Sequence, residues 1–123
     1  MINQQNVVRA LNAVTATTTS TAIPIKNAKK VTFVFKRSNH ASGSTAFTVT
    51  VSADDSTYIS YAKLIDNLIN GITEGVTRIA TKTLSSDTSV TLSMSPEDCF
   101  EYLKVTATET TDGTHDAWVI VQY

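Results

Sequence analysis

The stretch Val31-Thr32-Phe33-Val34-Phe35 sets Val31, Phe33 and Phe35 on one side of the chain and Thr32 and Val34 on the other. Successive side chains of an extended strand leave opposite faces, so this alternation of β-branched and aromatic types marks a half-buried strand. Ala46 to Val51 repeats it, with Phe47, Val49 and Val51 on one face and Thr48 and Thr50 on the other. Val90, Leu92 and Met94 alternate with Thr91 and Ser93. Leu103, Val105 and Ala107 alternate with Tyr102, Lys104 and Thr106. Weaker strand patterns cover Val7–Ala16, Thr19–Ile25, Tyr58–Ile65 and Val76–Leu84. Ala117 to Tyr123 is apolar nearly throughout, which suggests cover on both faces and a core position for Trp118.

Composition supports the same class. Thr (21) and Ser (12) together supply 33 of 123 residues, against four Gly and two Pro. Threonine suits a pleated, half-exposed surface because its branched Cβ is stiff and its hydroxyl tolerates water. Asp112-Gly113 between two alternating runs is a hairpin signal, since both residues accept positive φ. Ser38 to Ser44 is a polar loop between strands, and Ser95-Pro96-Glu97-Asp98 resembles the start of a helical turn. Asp66 to Gly75 reads either as a loop or as a short helical turn. The expected fold is all-β, an antiparallel β-sandwich or jelly roll of about eight strands. It forms one domain over residues 1–123, with residues 1–6 a polar arm that orders on docking.

The 41% hydrophobic and 17% charged content excludes a solvated disordered chain. A net charge of −1 does not suit a protein that works by neutralising phosphates, so nucleic acid is not expected as a partner. No apolar run approaches the roughly 18 residues of a membrane span. The start of the chain lacks the basic and apolar regions of a secretory signal, so synthesis in a cytoplasm is expected.

Candidate chemistry is sparse. His40 and His115 fall in expected turns, where solvated roles are ordinary; Asp112 and Asp116 flank His115 and leave a weak cation site open. Asp54-Asp55-Ser56 offers adjacent carboxylates, but turn chemistry accounts for the same residues. Cys99, the single cysteine, precedes the strand-like run at Phe100 and reads as a buried, inert thiol. There is no G-x-S-x-G elbow and no glycine-rich phosphate loop. The chain is therefore not expected to be an enzyme or to need a cofactor or metal. A sugar-binding platform would need Tyr58, Tyr61 and Tyr102 exposed together.

Charge is unevenly spread. Residues 1–61 carry six basic and two acidic residues, and residues 62–123 carry four basic and nine acidic. Lys26, Lys29, Lys30, Lys36 and Arg37 lie within twelve positions. Such a run either guards strand edges or forms a basic patch that meets an acidic one on a neighbouring subunit.

Two segments carry a family likeness. Residues 29–67 (KKVTFVFKRSNHASGSTAFTVTVSADDSTYISYAKLIDN) and 100–123 (FEYLKVTATETTDGTHDAWVIVQY) resemble small virion structural proteins of tailed bacteriophages, the β-sandwich decoration or cement proteins. The resemblance implies a non-enzymatic virion component that binds and stabilises the capsid lattice. Its partners would be the major capsid protein or other virion proteins, and its own copies in a homo-oligomer, trimers being common there. A tail or fibre component, or a carbohydrate-binding adhesin module, remains the alternative. That family has no fixed site motif to carry over.

Overall fold

Among the described residues twelve strands form where extended, β-branched segments lie between polar turns. In the computed structural model, which describes residues 5–66 and 78–123, these are β1 (Gln5–Val14), β2 (Thr18–Thr19), β3 (Ile23–Pro24), β4 (Lys30–Ser38), β5 (Thr45–Ser52) and β6 (Ile59–Ser60). They are followed by β7 (Leu64–Asp66), β8 (Arg78–Ile79), β9 (Thr81–Leu84), β10 (Thr88–Ser93), β11 (Tyr102–Glu109) and β12 (Thr114–Gln122). The all-β class stands, with twelve strands in place of eight; the excess comes from two-residue strands too short to leave a pattern in the sequence. Residues 67–75 of the ambiguous stretch Asp66–Gly75, and residues 76–77 of the run Val76–Leu84, lie outside the described residues.

The strands form two antiparallel six-stranded sheets. The first runs β1-β12-β4-β10-β7-β8. The second runs β2-β11-β5-β6, with β3 also on β11 and β9 also on β5. Val31, Phe33 and Phe35 from β4 face Phe47, Val49 and Val51 from β5, and all six are buried. The rings of Phe35 and Phe47 stack across the sandwich at 4.7 Å. Burying such side chains stabilises by about 1.5–3 kcal/mol each, which fixes both strands by the faces their alternation marks. Lys82 of β9 reaches the 1%-exposed Asp66 carboxylate of β7 at 2.6 Å, an ion pair that joins the two sheets.

Asp112-Gly113 is not a hairpin. It joins β11 in the second sheet to β12 in the first, so it forms an arch between layers. The loop at 39–44 is a second arch, from β4 to β5. By contrast, Asp54 closes a true hairpin between β5 and β6: its Oδ1 accepts from the Ser56 and Thr57 N–H groups at 2.9 Å each. Ser95–Asp98 is a single turn closed by the Asp98 N–H on the Ser95 carbonyl at 3.1 Å.

β1 turns the corner from the first sheet towards β2 in the second. Its register with β12 shifts after Arg9 and again after Leu11, and Ala13 sits at φ 50°. A left-handed conformation costs an alanine about 1–2 kcal/mol. The Asp116 carboxylate offsets it, accepting from the Ala13 N–H at 2.8 Å and from Arg9 Nη2 at 2.5 Å. Two bulges and one carboxylate therefore make the corner.

Candidate functional site

Inward-facing polar residues gather at the end of the sandwich that carries the two arches. Alternation along β4 turns Arg37 to the same face as Phe35, and alternation along β12 turns His115 to the same face as Ala117. The two residues are register partners on adjacent strands. Both are fully buried, as is Thr45 at the start of β5. Arg37 Nη2 donates to the carbonyls of Ser42 at 2.8 Å and Asp112 at 3.0 Å. Its Nη1 donates to those of Gly43 at 3.1 Å and Leu84 at 3.4 Å. One cation thus ties the 39–44 arch, the 110–113 arch and the end of β9 to one another. Among the described residues its Nε has no hydrogen-bond partner. Gly113, at φ 125°, packs so closely that a Cβ there would stand 3.1 Å from both Arg37 Nε and His115 Cε1.

Around His115 the groups form a chain. Thr45 Oγ1 lies 3.1 Å from His115 Nδ1, and His115 Nε2 lies 3.3 Å from Glu109 Oε1. Hydroxyl, imidazole and carboxylate in that order is the connectivity of an activated nucleophile. Here, however, the hydroxyl and the imidazole have no exposed surface, and the Phe47 ring packs edge-on against His115. With the hydroxyl closed off from solvent, the chain satisfies buried polar groups and does not present a nucleophile to solvent.

His115 is therefore a buried strand residue and not a turn residue; the hydrophilic Thr-His-Asp stretch conceals that its odd positions face inward. Asp116 points to the opposite face, onto Arg9, and Asp112 lies in the arch, where its Oδ1 accepts from the Ala41 N–H at 2.9 Å. That bond, with those from Ser42 and the charge of Arg37, holds the Asp112 carboxyl below its ordinary 3.8. Asp112, His115 and Asp116 do not converge. Among the described residues no three His, Cys, Asp or Glu side chains gather where they could hold a metal ion. His40 pairs with Asp87 across the same end, and this contact holds the Asp87 carboxyl low.

Of the charge run, Lys26, Lys29, Lys30 and Lys36 are exposed, and none makes an ion pair among the described residues. Arg37 is committed to the interior. Lys26, Lys29 and Lys30 lie at or beside the start of β4, at the end of the sandwich opposite the arches. The charge imbalance between the two halves of the sequence is mixed by folding, because β12 lies between β1 and β4.

Other expectations shift. Cys99 is exposed and not buried, since β11 begins only at Tyr102 and leaves it in the preceding loop. Trp118 is on the outer face of the first sheet, half-buried, with the Arg9 guanidinium 5.0 Å over its ring. Tyr61 is buried: its hydroxyl donates to Asp98 Oδ2 at 2.6 Å and accepts from the Ser95 N–H at 2.9 Å. Burial, then the bond to Asp98, pushes its phenol up to about 12. Tyr58, Tyr61 and Tyr102 are thus not exposed together; Tyr58 lies under the Lys104 ammonium at 4.3 Å.

The two outer faces differ in chemistry. On the first sheet, register rows place Arg9, Trp118, Val34 and Thr91 side by side, and Val7, Ile120 and Thr32 beside them. On the second sheet, Thr19, Thr106, Thr48 and Thr81 form one row across four strands. Nothing in periodicity said which face of β12 would be inward, because both its faces are apolar.

A two-sheet antiparallel β-sandwich whose arches are tied by a buried arginine is the class this architecture defines. No family model matches the sequence, and no curated protein matches it. Among solved structures the chain is similar to the SPBc2 prophage-derived protein YomS, with a TM-score of 0.69 at 11% identity over 100% of this chain and 96% of that one. At this identity the likeness shows a shared fold. PirA aligns over 98% of this chain at 8% identity with a TM-score of 0.38, too low to support an argument.

Proposed function

We propose that the protein is a non-enzymatic structural component of a bacteriophage particle, a decoration protein that docks on the capsid lattice through protein–protein contacts. The observation that carries this reading is the end-to-end match with a prophage-derived chain, 100% of one against 96% of the other. Two features of the molecule suit it. The outer face of the first sheet offers Trp118, a side-chain type that anchors protein contacts, partly open to solvent with Ile120 and Val34 as apolar neighbours. Lys26, Lys29 and Lys30 add a positive patch, without an ion pair among the described residues, for an acidic neighbour. Many copies on a repeating lattice turn weak single contacts into stable coating.

The test is to add purified protein to particles that lack it, then to sediment and image them. The expected result is density at repeating positions on the head and greater resistance of the shell to heat. Replacing Lys26, Lys29 and Lys30 together by Glu is expected to weaken binding most at low salt. Density on the tail would move the assignment to a tail component, and protein left entirely in the supernatant would overturn it.

A further inference from the structure

We propose that the exposed edge of β1 is a self-pairing surface: Gln5–Arg9 joins the same segment of a second copy, antiparallel about a two-fold axis at Val7, and makes one continuous twelve-stranded sheet from two six-stranded ones. The argument rests on how differently the fold treats its edges. Strand edges present unpaired N–H and C=O groups, and proteins blunt them with short strands, prolines, lysines or bulges. Among the described residues the far edge of the first sheet is β8, two residues long. The edges of the second sheet among the described residues are β2, β3 and β6, of two residues each, and β9, of four. Pro24 lies in β3 and Lys82 in β9.

β1 is the exception. It runs ten residues, and among the described residues β12 is its only neighbour in the sheet. From Gln5 to Arg9 the register with β12 is unbroken, and the bulges begin only beyond Arg9. Every second residue of a strand directs its backbone groups away from its partner, so this straight segment offers a regular row of donors and acceptors. Val7 is 59% exposed in the middle of it. Arg9, the one charged residue in β1, is held by Asp116 and folded over Trp118, so its charge is spent within the molecule.

A second copy fits this edge because the segment is complementary to itself. With Val7 on the axis, Val7 meets Val7, Asn6 meets Val8, and Gln5 meets Arg9. The cation thus faces a neutral amide, and no like charges oppose. Such a contact is isologous and closes at two copies. This extends the proposed function by naming a self-contact, yet the two fail separately: self-pairing is read on free protein, and docking on particles.

Light scattering on the eluting full chain, over a range of concentrations, is the experiment. The expected mass rises to twice 13.3 kDa. Val7→Lys sets two cations together on the axis and is expected to shift dissociation at least about tenfold towards monomer, with an unchanged circular dichroism spectrum. Val7→Glu does the same by itself, and an equal mixture of the two variants restores the doubled mass, which a folding defect would not do. In the wild-type chain, hydrogen exchange at residues 5–9 is expected to slow as concentration rises. A chain monomeric at every concentration, a trimeric mass, or a doubled mass untouched by Val7→Lys would each overturn the proposal.

Discussion

At Arg37 a single buried side chain bonds four carbonyl groups, that of Leu84 buried and those of Ser42, Gly43 and Asp112 part-buried, and each of these bonds is charge-assisted. Replacing it with Met keeps apolar volume and strands the carbonyls. At about 1–3 kcal/mol for each unsatisfied buried group, and with some regained by water, Arg37→Met is expected to cost about 3–5 kcal/mol. Arg37→Lys restores less than half of that, because an ammonium lacks the planar fork. Urea midpoints at constant slope check both values. Tyr61 supplies a pH prediction. Its folded phenol stands at about 12 against an ordinary 10, so its contribution is complete below pH 10 and disappears as pH rises through 12. The alkaline limb of the unfolding curve is expected to flatten in Tyr61→Phe. Both roles escape the sequence: an arginine in a run of lysines reads as surface, and a tyrosine beside Ile59-Ser60 reads as a platform.

Among the elements, β1 depends most on a residue distant from it. Asp116 holds the Ala13 N–H and the Arg9 guanidinium at once. Asp116→Ala leaves a left-handed alanine without its bond and is expected to cost about 2 kcal/mol. Hydrogen exchange should then rise in Gln5–Val14 and leave β4 unchanged. The loops respond to acid. Asp54, Asp87 and Asp112 all titrate below the ordinary 3.8: Asp54 chiefly through the Thr57 N–H, Asp87 through His40, and Asp112 through the Ala41 N–H. A lowered folded value means stability present above pH 3.8 and lost as pH falls through the folded values. Amide signals of residues 39–44 and 53–57 are expected to broaden below about pH 4 before those of β4 and β12. The strands at 31–35, 46–51, 90–94 and 102–108 were legible because one clean face of each is buried; β12 was legible as a strand and not as to its face.

For the whole molecule, the pairing of Gln5 with Gln122 joins the two ends of the described chain. Contacts so distant in sequence must close long loops before they return any stabilisation, which places all-β folding in the millisecond-to-second range. Stopped-flow refolding is expected to fall there, with hydrogen-exchange protection of β1 arriving no earlier than that of the β4–β5–β11–β12 centre. The same long-range pairing explains Asp112-Gly113. Locally it is a turn either way, and only the partners of the flanking strands make it an arch between sheets.

Alternation along the chain set the class of structure and the inner faces of its long strands, because pleating converts alternation directly into burial. Asp, Asn, Gly and Pro marked where the chain turns, because they set φ locally. Long-range packing settled which sheet each strand joins, and with that the arch, the burial of Arg37 and His115, the outward turn of Trp118 and the open edge of β1. These depend on what lies opposite a residue about a hundred positions away, and no local window of sequence contains that neighbour.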